Sequence, residues 1–132
     1  MERVLNVGCG GDTYGTDFVD LYPSRTGIVQ CDIEKEELPF NANTFDEVYC
    51  RGFFEHMKNP HEYLKKAYRV LKPGGRVVTI TDNAHYWLWS LKNSLHLGGY
   101  EKPDAPDDRH YALYTDHHLK NHMSVAGFVN IK

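Results

Sequence analysis

Glycines and carboxylates follow the first three apolar runs of this sequence, at the points where successive strands would end. Gly8 and Gly10 come after the first run, Asp20 closes the second, and a further carboxylate, Asp32, follows the third. Glycine has no Cβ, so its backbone turns tightly and lets a ligand approach closely. A carboxylate accepts hydrogen bonds from the two hydroxyls of a ribose or from an exocyclic amine. Together these residues favour a site for an adenosine-containing ligand, whereas each one alone is equally consistent with a turn or a solvated strand end.

Five short apolar runs are the predicted strands that would position these residues. They cover residues 3–7, 17–21, 28–31, 45–50 and 76–81. Ligands of a mostly parallel sheet bind outside the carboxyl ends of its strands, near the point where the strand order reverses. The glycines, both aspartates, Arg51 and the pair Asp82-Asn83 all come at such ends. This joint placement is the main reason to expect a binding site.

The clearest helix of the sequence lies between the fourth and fifth runs. Asn59 can cap it, Pro60 suits its first position, and Glu62 stands three residues after the cap. Apolar residues recur at helical spacing up to Leu71, and the stretch KPGG then ends the helix. A strand, a helix and a strand in this order form a βαβ unit, which predicts parallel pairing.

Two more helices are predicted after the fifth strand. One has its apolar residues over 87–95, and residues 98–110 then form a polar loop rich in proline and glycine. The other begins at Thr115 and ends at Gly127. A short strand over residues 128–131 follows it.

Composition and charge limit the function classes. The chain has 132 residues, of which 41% are apolar and 25% are charged, and this predicts one globular domain over residues 1–132. No run approaches the roughly 18 apolar residues of a membrane helix, and no basic leader is seen, so a cytoplasmic protein is expected. A net charge of −3 argues against nucleic acid as a partner. The three cysteines lack a CxxC spacing and predict no disulfide framework.

Several stretches of the chain resemble the motifs of class I S-adenosylmethionine-dependent methyltransferases, in particular a small, type 11-like methyltransferase domain. The similarity covers residues 3–82 closely and 111–131 loosely. The stretches that carry it are VLNVGCGG, VDLYP, CDIEKEELPF, the run from FDEVYC through LKPGG to RVVTIT, and YTDHHLKNHMSVAGF.

The resemblance implies S-adenosylmethionine as the cofactor and assigns its contacts by position. Gly8 and Gly10 would lie along the methionyl part, and Arg51 would lie near its end. Asp20 would hold the ribose hydroxyls, and Asp32 would meet the adenine amine. The full set of implied cofactor-binding residues is Gly8, Cys9, Gly10, Asp20, Leu21, Asp32, Ile33 and Arg51.

Two departures from that pattern concern the first glycine turn. Asn6 stands where the superfamily often has an acidic residue, and the short spacing from Gly8 to Asp20 leaves room for only a loop or a single turn in place of the first helix. The same spacing argues against a nicotinamide dinucleotide site, which needs a helix N-terminus at its pyrophosphate and a third glycine where Thr13 stands. S-adenosylmethionine has no phosphate and does not need that helix.

His56 is the candidate catalytic base, because it follows the fourth strand on the side of the expected pocket. A structural or surface histidine is the alternative. Tyr14, Phe53 and Phe54 are candidate aromatic neighbours of the sulfonium, with ordinary packing as the alternative. His118 and His122 lie four residues apart on the last helix, but no third ligand accompanies them; no metal site is predicted.

The predicted fold is α/β and Rossmann-like, with a mostly parallel sheet in the order 3-2-1-4-5 and a late strand, a shortened or missing first helix, and no final antiparallel strand. An uncovered sheet edge of this kind makes a homodimer a reasonable expectation. The predicted function is methyl transfer to an unidentified acceptor, with a small molecule favoured over nucleic acid or membrane. The alternative is a non-catalytic module that binds S-adenosylmethionine or S-adenosylhomocysteine or serves in protein interaction.

Overall fold

A five-stranded parallel sheet in the order β3-β2-β1-β4-β5 forms the centre of the protein, as predicted. The structure is a computed structural model, and it describes residues 1–95 and 110–132. The strands are β1 (Val4–Val7), β2 (Asp17–Asp20), β3 (Ile28–Gln30), β4 (Phe45–Arg51) and β5 (Leu71–Ile80). The helices are α1 (Pro60–Val70), α2 (Trp87–Ser94) and α3 (Asp116–Val125), with a 3-10 helix at Phe54–His56.

The core lies between this sheet and α1. Strand β1 is buried at all four positions, and β4 is buried over most of its length. Leu64, Ala67 and Val70 recur at helical spacing on α1 and are fully buried against the sheet. Each large apolar side chain buried in this way contributes about 1.5–3 kcal/mol to stability. This packing fixes the strand ends that carry the candidate residues.

A loop replaces the usual first helix between β1 and β2, which confirms the expectation from the short spacing. The buried Asn6 donates its side-chain amide to the Tyr14 carbonyl at 2.9 Å. Thr16 pairs with Val4 of β1 through its backbone and its hydroxyl. The Tyr14 hydroxyl donates to the buried Glu47 carboxylate at 2.8 Å. Asn6 therefore holds the substitute loop against the sheet.

The stretch KPGG belongs to β5, so this strand begins at Leu71 and not at Arg76 as predicted. Leu71 pairs with Phe45, and Arg76 pairs with Glu47. Between these two pairs β5 advances by five residues and β4 by two, so the additional residues of β5 form a bulge. The glycines allow the strand to bend there, because Gly74 has a φ of +81° and Gly75 leaves no space for a Cβ against the Asp46 carbonyl.

Helix α1 begins at Pro60 as predicted, but Asn59 does not cap it with its side chain. Glu34, in the loop after β3, instead binds the two residues that precede the helix. Its carboxylate accepts hydrogen bonds from the backbone amides of Lys58 at 2.5 Å and Asn59 at 3.2 Å. The negative charge also suits the positive end of the helix dipole.

The predicted strand over residues 128–131 is wrong. Helix α3 ends in a Schellman motif, in which the Phe128 amide bonds to the Met123 carbonyl and the Gly127 amide to the Ser124 carbonyl. Gly127 takes the required positive φ of +99°. The Phe128 ring then packs edge-on against Tyr68 of α1 at 5.3 Å, so this residue is used for capping and packing, and the chain beyond it is not in the sheet.

The remaining predicted elements are found where the chain is described. Helix α2 falls within the predicted range, although Trp87 leaves 66% of its surface exposed. Thr115 caps α3 by accepting a hydrogen bond from the His118 amide. The loop predicted over 98–110 lies outside the described residues up to 109. Among the residues described, no helix is long and apolar enough to cross a bilayer.

Candidate functional site

A cleft of about 320 Å³ opens at the carboxyl ends of β2, β3 and β4, where the sequence predicts a binding site. Four predicted site residues line it: Leu21, Asp32, Ile33 and His56. The other described residues in its lining are Tyr22, Cys31, Glu34, Lys35, Phe53, Met57, Lys58 and Tyr111. The wall is therefore mixed, with apolar and aromatic surfaces beside charged groups, as in many small-molecule sites.

Gly8 and Gly10, in the turn after β1, have similar backbone conformations but different surroundings. Gly8 has a φ of +65° and Gly10 a φ of +50°, both in the left-handed region that favours glycine. A Cβ at Gly8 would overlap the ring of Phe53, whereas a Cβ at Gly10 would meet nothing within 4 Å. Gly8 thus makes room for an aromatic side chain of the protein itself, and Gly10 is the one next to open space.

Asp20 lies beside this turn at the end of β2. One carboxylate oxygen accepts a hydrogen bond from the Gly10 amide at 2.8 Å, and the other accepts from the Tyr22 amide at 2.8 Å. A carboxylate has about four lone-pair positions, so two acceptor positions are left for hydroxyl groups of a ligand. Gly10 and Asp20 are therefore joined by a hydrogen bond, whereas the Gly8 amide donates to the Val19 carbonyl.

Asp32 and Ile33 follow β3 and form the next part of the cleft. The Asp32 carboxylate accepts a hydrogen bond from the Lys35 ammonium at 2.7 Å, and this contact lowers the pKa of Asp32 below its ordinary value. Asp32 is ionised at neutral pH and can accept from an amine. The Ile33 carbonyl accepts from the buried Lys66 ammonium at 2.6 Å, so the backbone beside the cleft is held in place.

The remaining two predicted cofactor-binding residues are less directly placed. Cys9 is buried, and this burial raises the pKa of its thiol and keeps it uncharged. Arg51 is exposed at the end of β4 and lies outside the set of described residues that line the cleft. Of the predicted cofactor-binding residues, Leu21, Asp32 and Ile33 therefore line the cleft, whereas Gly8, Cys9, Gly10, Asp20 and Arg51 lie outside its described lining.

His56 ends the 3-10 helix and faces the cleft as predicted. Its ring lies edge-on to that of His110, with the ring centroids 4.4 Å apart. Tyr111 follows, and the Lys58 ammonium stands 5.5 Å from the centroid of its ring. Sequence reasoning missed His110 and Tyr111, because they come after a long polar stretch and share no spacing with the strand ends.

Of the three aromatic candidates, Phe53 alone lines the cleft among the described residues. Tyr14 is turned towards the other end of the sheet, where its hydroxyl meets Glu47 and its ring packs against Tyr49. Phe54 is fully buried between Tyr63 and Tyr114 in the core. For Tyr14 and Phe54, ordinary packing is therefore the role that the structure supports.

The fold and this cleft together define a class of protein. A parallel sheet in this order, a glycine turn followed by a loop, and carboxylates after β2 and β3 match a class I methyltransferase fold. The residues also fit an adenosyl cofactor, since Gly10 opens onto free space, Asp20 retains acceptor positions, and Asp32 is ionised beside a partly apolar cleft.

The chain belongs to the methyltransferase domain family, whose sequences it matches over residues 2–132. It is 32% identical to the ubiquinone/menaquinone biosynthesis C-methyltransferase UbiE of Nitrosospira multiformis over 133 residues, which cover 91% of this chain and 53% of that protein. It is 28% identical to the ubiquinone biosynthesis O-methyltransferase of Pseudomonas entomophila over 114 residues, which cover 68% of this chain and 49% of that protein. The chain thus spans about half the length of these curated relatives.

Solved structures show the same fold. A possible histamine N-methyltransferase from Thermotoga maritima superposes with a TM-score of 0.74 at 20% identity, covering 98% of this chain and 65% of that one. An S-adenosylmethionine-dependent methyltransferase from Archaeoglobus fulgidus gives a TM-score of 0.71 at 21% identity, with coverage of 98% and 62%. Family and fold together imply S-adenosylmethionine as the cofactor.

Proposed function

We propose that the protein binds S-adenosylmethionine in this cleft and transfers its methyl group to a small-molecule acceptor. The observation that carries the proposal is the unit formed by Gly10 and Asp20 next to a cleft lined by Asp32 and Ile33. The names of the curated relatives, which refer to ubiquinone and menaquinone biosynthesis, support a small molecule as the acceptor.

In this proposal the cofactor supplies an activated methyl group on a sulfonium, and the protein aligns the reaction. Asp20 accepts from the ribose hydroxyls, and Asp32 accepts from the adenine amine. Ile33 places its backbone beside the ring, and its position is fixed by Lys66. Alignment of acceptor, methyl and leaving thioether along one line is the main source of rate enhancement in such a displacement.

The acceptor side of the cleft is formed by Phe53, His56 and Tyr111. The aromatic faces exclude water and can stabilise a neighbouring cation. His56 is placed to take a proton from an acceptor hydroxyl or amine, since it lines the cleft directly.

A second candidate is a module that binds S-adenosylmethionine or S-adenosylhomocysteine without catalysis. Both candidates need the same cofactor contacts and differ only in methyl transfer.

Calorimetric titration with S-adenosylmethionine and S-adenosylhomocysteine tests the shared part. We expect saturable binding by the intact chain and a loss of about tenfold to a hundredfold in affinity for Asp20→Asn, because hydrogen bonds to a charged group contribute roughly 1.5–3 kcal/mol. Asp17→Asn is the matched control, since Asp17 belongs to the same strand but pairs with Arg3 at its opposite end.

Absence of binding by the intact chain would overturn both candidates, and equal affinity of the Asp20→Asn variant would overturn the proposed site. Mass spectrometry of acceptor pools incubated with labelled S-adenosylmethionine then separates the two. Transfer of the labelled methyl group supports the enzyme, and tight binding without transfer supports the module.

A further inference from the structure

Glu55, His56 and His110 meet at the edge of the cleft. One ligating atom from each of the three side chains lies within 4.8 Å of the other two. Glu55 and His56 are neighbours on the 3-10 helix, whereas His110 comes from a distant part of the chain. The Tyr111 amide donates to the Glu55 carbonyl at 2.8 Å, and this backbone contact holds the returning segment next to the helix.

The carboxylate of this cluster is buried. Glu55 exposes 3% of its surface, and its Oε2 accepts a hydrogen bond from the Thr81 hydroxyl at 2.6 Å. Within the described part of the chain, no lysine or arginine forms an ion pair with it. A buried carboxylate is costly unless a positive charge compensates it. A cation bound between Glu55 and the two imidazoles would provide that compensation.

We propose that Glu55, His56 and His110 bind a divalent transition-metal ion such as Zn²⁺ or Co²⁺. Two imidazole nitrogens and one carboxylate oxygen suit these ions, whereas Mg²⁺ and Ca²⁺ prefer oxygen ligands throughout. Tetrahedral Zn²⁺ places its ligand atoms about 3.3–3.5 Å apart, so binding would draw these three atoms together from separations that are now within 4.8 Å.

Three protein ligands leave one coordination position open, and His56 places that position at the cleft. The Thr81 hydroxyl donates to the Glu55 carboxylate and holds it in the orientation needed to bind the ion. In this arrangement a ring nitrogen of His56 holds the metal, and His56 is not the general base. The metal site therefore replaces the proton-accepting role proposed above for His56, whereas the residues proposed to contact S-adenosylmethionine are different ones, so cofactor binding and metal binding are tested separately.

Titration of the untagged, EDTA-treated full chain with Co²⁺ tests the proposal through the visible absorption of the ion. We expect one equivalent to bind with the strong bands of four-coordinate Co²⁺, and Zn²⁺ to displace it. His110→Ala should abolish these bands. Thr81→Val should retain the site with an affinity lower by about 10–100-fold, because it removes the hydrogen bond to the Glu55 carboxylate and leaves all three ligands in place.

His118→Ala is the control, since His118 is an exposed histidine of α3 and does not belong to the cluster. The proposal is overturned by absence of Co²⁺ binding, by bands that survive in His110→Ala, or by bands that disappear in His118→Ala. Circular dichroism confirms that each variant is folded. Calorimetry with S-adenosylmethionine in EDTA keeps the cofactor result separate from the metal result.

Discussion

At Gly8 the absence of one methyl group decides how the glycine turn is built. The residue combines a left-handed backbone with the close approach of the Phe53 ring, and no side chain is compatible with both. Gly10 has the same type of backbone conformation but faces open space. The two glycines look equivalent in the sequence and differ in what a substitution would meet.

We predict that Gly8→Ala lowers the free energy of unfolding by about 2–4 kcal/mol, which combines backbone strain with overpacking against Phe53. Gly10→Ala should cost about 1 kcal/mol, because it adds only the strain of a left-handed backbone. Urea denaturation of both variants measures the difference. Equal losses would contradict the role assigned to Phe53, and recovery of stability in the double variant Gly8→Ala/Phe53→Leu would support it.

Hydrogen bonds at three places along α1 hold the loop after β3. The Glu34 side chain of the loop accepts from two backbone amides just before the helix. Lys66 donates to the Ile33 and Glu36 carbonyls at 2.6 and 2.8 Å. Arg69 donates to the Leu38 and Phe40 carbonyls. The helix therefore determines the position of the backbone that forms one wall of the cleft.

We predict that Lys66→Met destabilises the protein by about 1–3 kcal/mol, because the buried Ile33 carbonyl and the part-buried Glu36 carbonyl lose a charged donor. It should also weaken S-adenosylmethionine binding by about tenfold, since Ile33 is no longer held. Lys65→Met is the matched control, because Lys65 is exposed and its ion pair is with Glu62 of its own helix. Urea denaturation and calorimetry measure the two effects, and unchanged binding in Lys66→Met would show that this loop does not position the cofactor.

For the whole molecule, the packing of α3 makes stability dependent on pH. His122 is half-buried and lies against the rings of Phe54 and Tyr114, with centroid distances of 6.3 and 5.7 Å. Burial, followed by the charges of His61 and His118, lowers the pKa of His122 below its ordinary value of 6.5. The folded protein therefore takes up this proton at a lower pH than the unfolded chain does.

The lowered pKa of His122 makes the folded protein less stable as the pH falls. As the pH falls through about 6.5, the unfolded chain binds the proton first, so stability decreases; the decrease stops once the pH is below the folded pKa. Between pH 7.5 and 5.5, we predict that the free energy of unfolding, measured by urea denaturation, falls less in His122→Gln than in the unsubstituted protein. The control His117→Gln, at an exposed histidine, should show the same fall as the unsubstituted protein. The lowered pKa values of Asp17 and Asp46 act only at more acidic pH, near or below 3.8. The same pH slope in all three proteins would contradict the prediction.

The sheet also has an outer strand, β5, whose neighbour on one side is β4. Ile80 at its end is partly exposed. A homodimer that covers such an edge stays a prediction, as do the cytoplasmic location and the assignment of residues 1–132 to a single domain. Each concerns the molecule as a whole and is independent of the cleft.

Much of the fold and part of the site could be predicted from the sequence. The positions of the five strands, the loop in place of a first helix, and the placement of Asp20 and Asp32 all depend on short-range spacing. Backbone conformation responds to such spacing because apolar periodicity and turn residues act within a few positions. The strand order came from the family resemblance, because local spacing does not determine which strands pair.

Contacts between residues far apart in the chain could not be predicted from the sequence. Glu34 binds the backbone amides of Lys58 and Asn59 just before α1, and Phe128 packs on Tyr68 where a strand was expected. His110 joins Glu55 and His56 although more than fifty positions separate them in the chain. The sequence by itself determined the local elements and the strand ends that carry the carboxylates. Only the tertiary structure decided which side chains complete the cleft, because that depends on packing between elements and not on spacing within them.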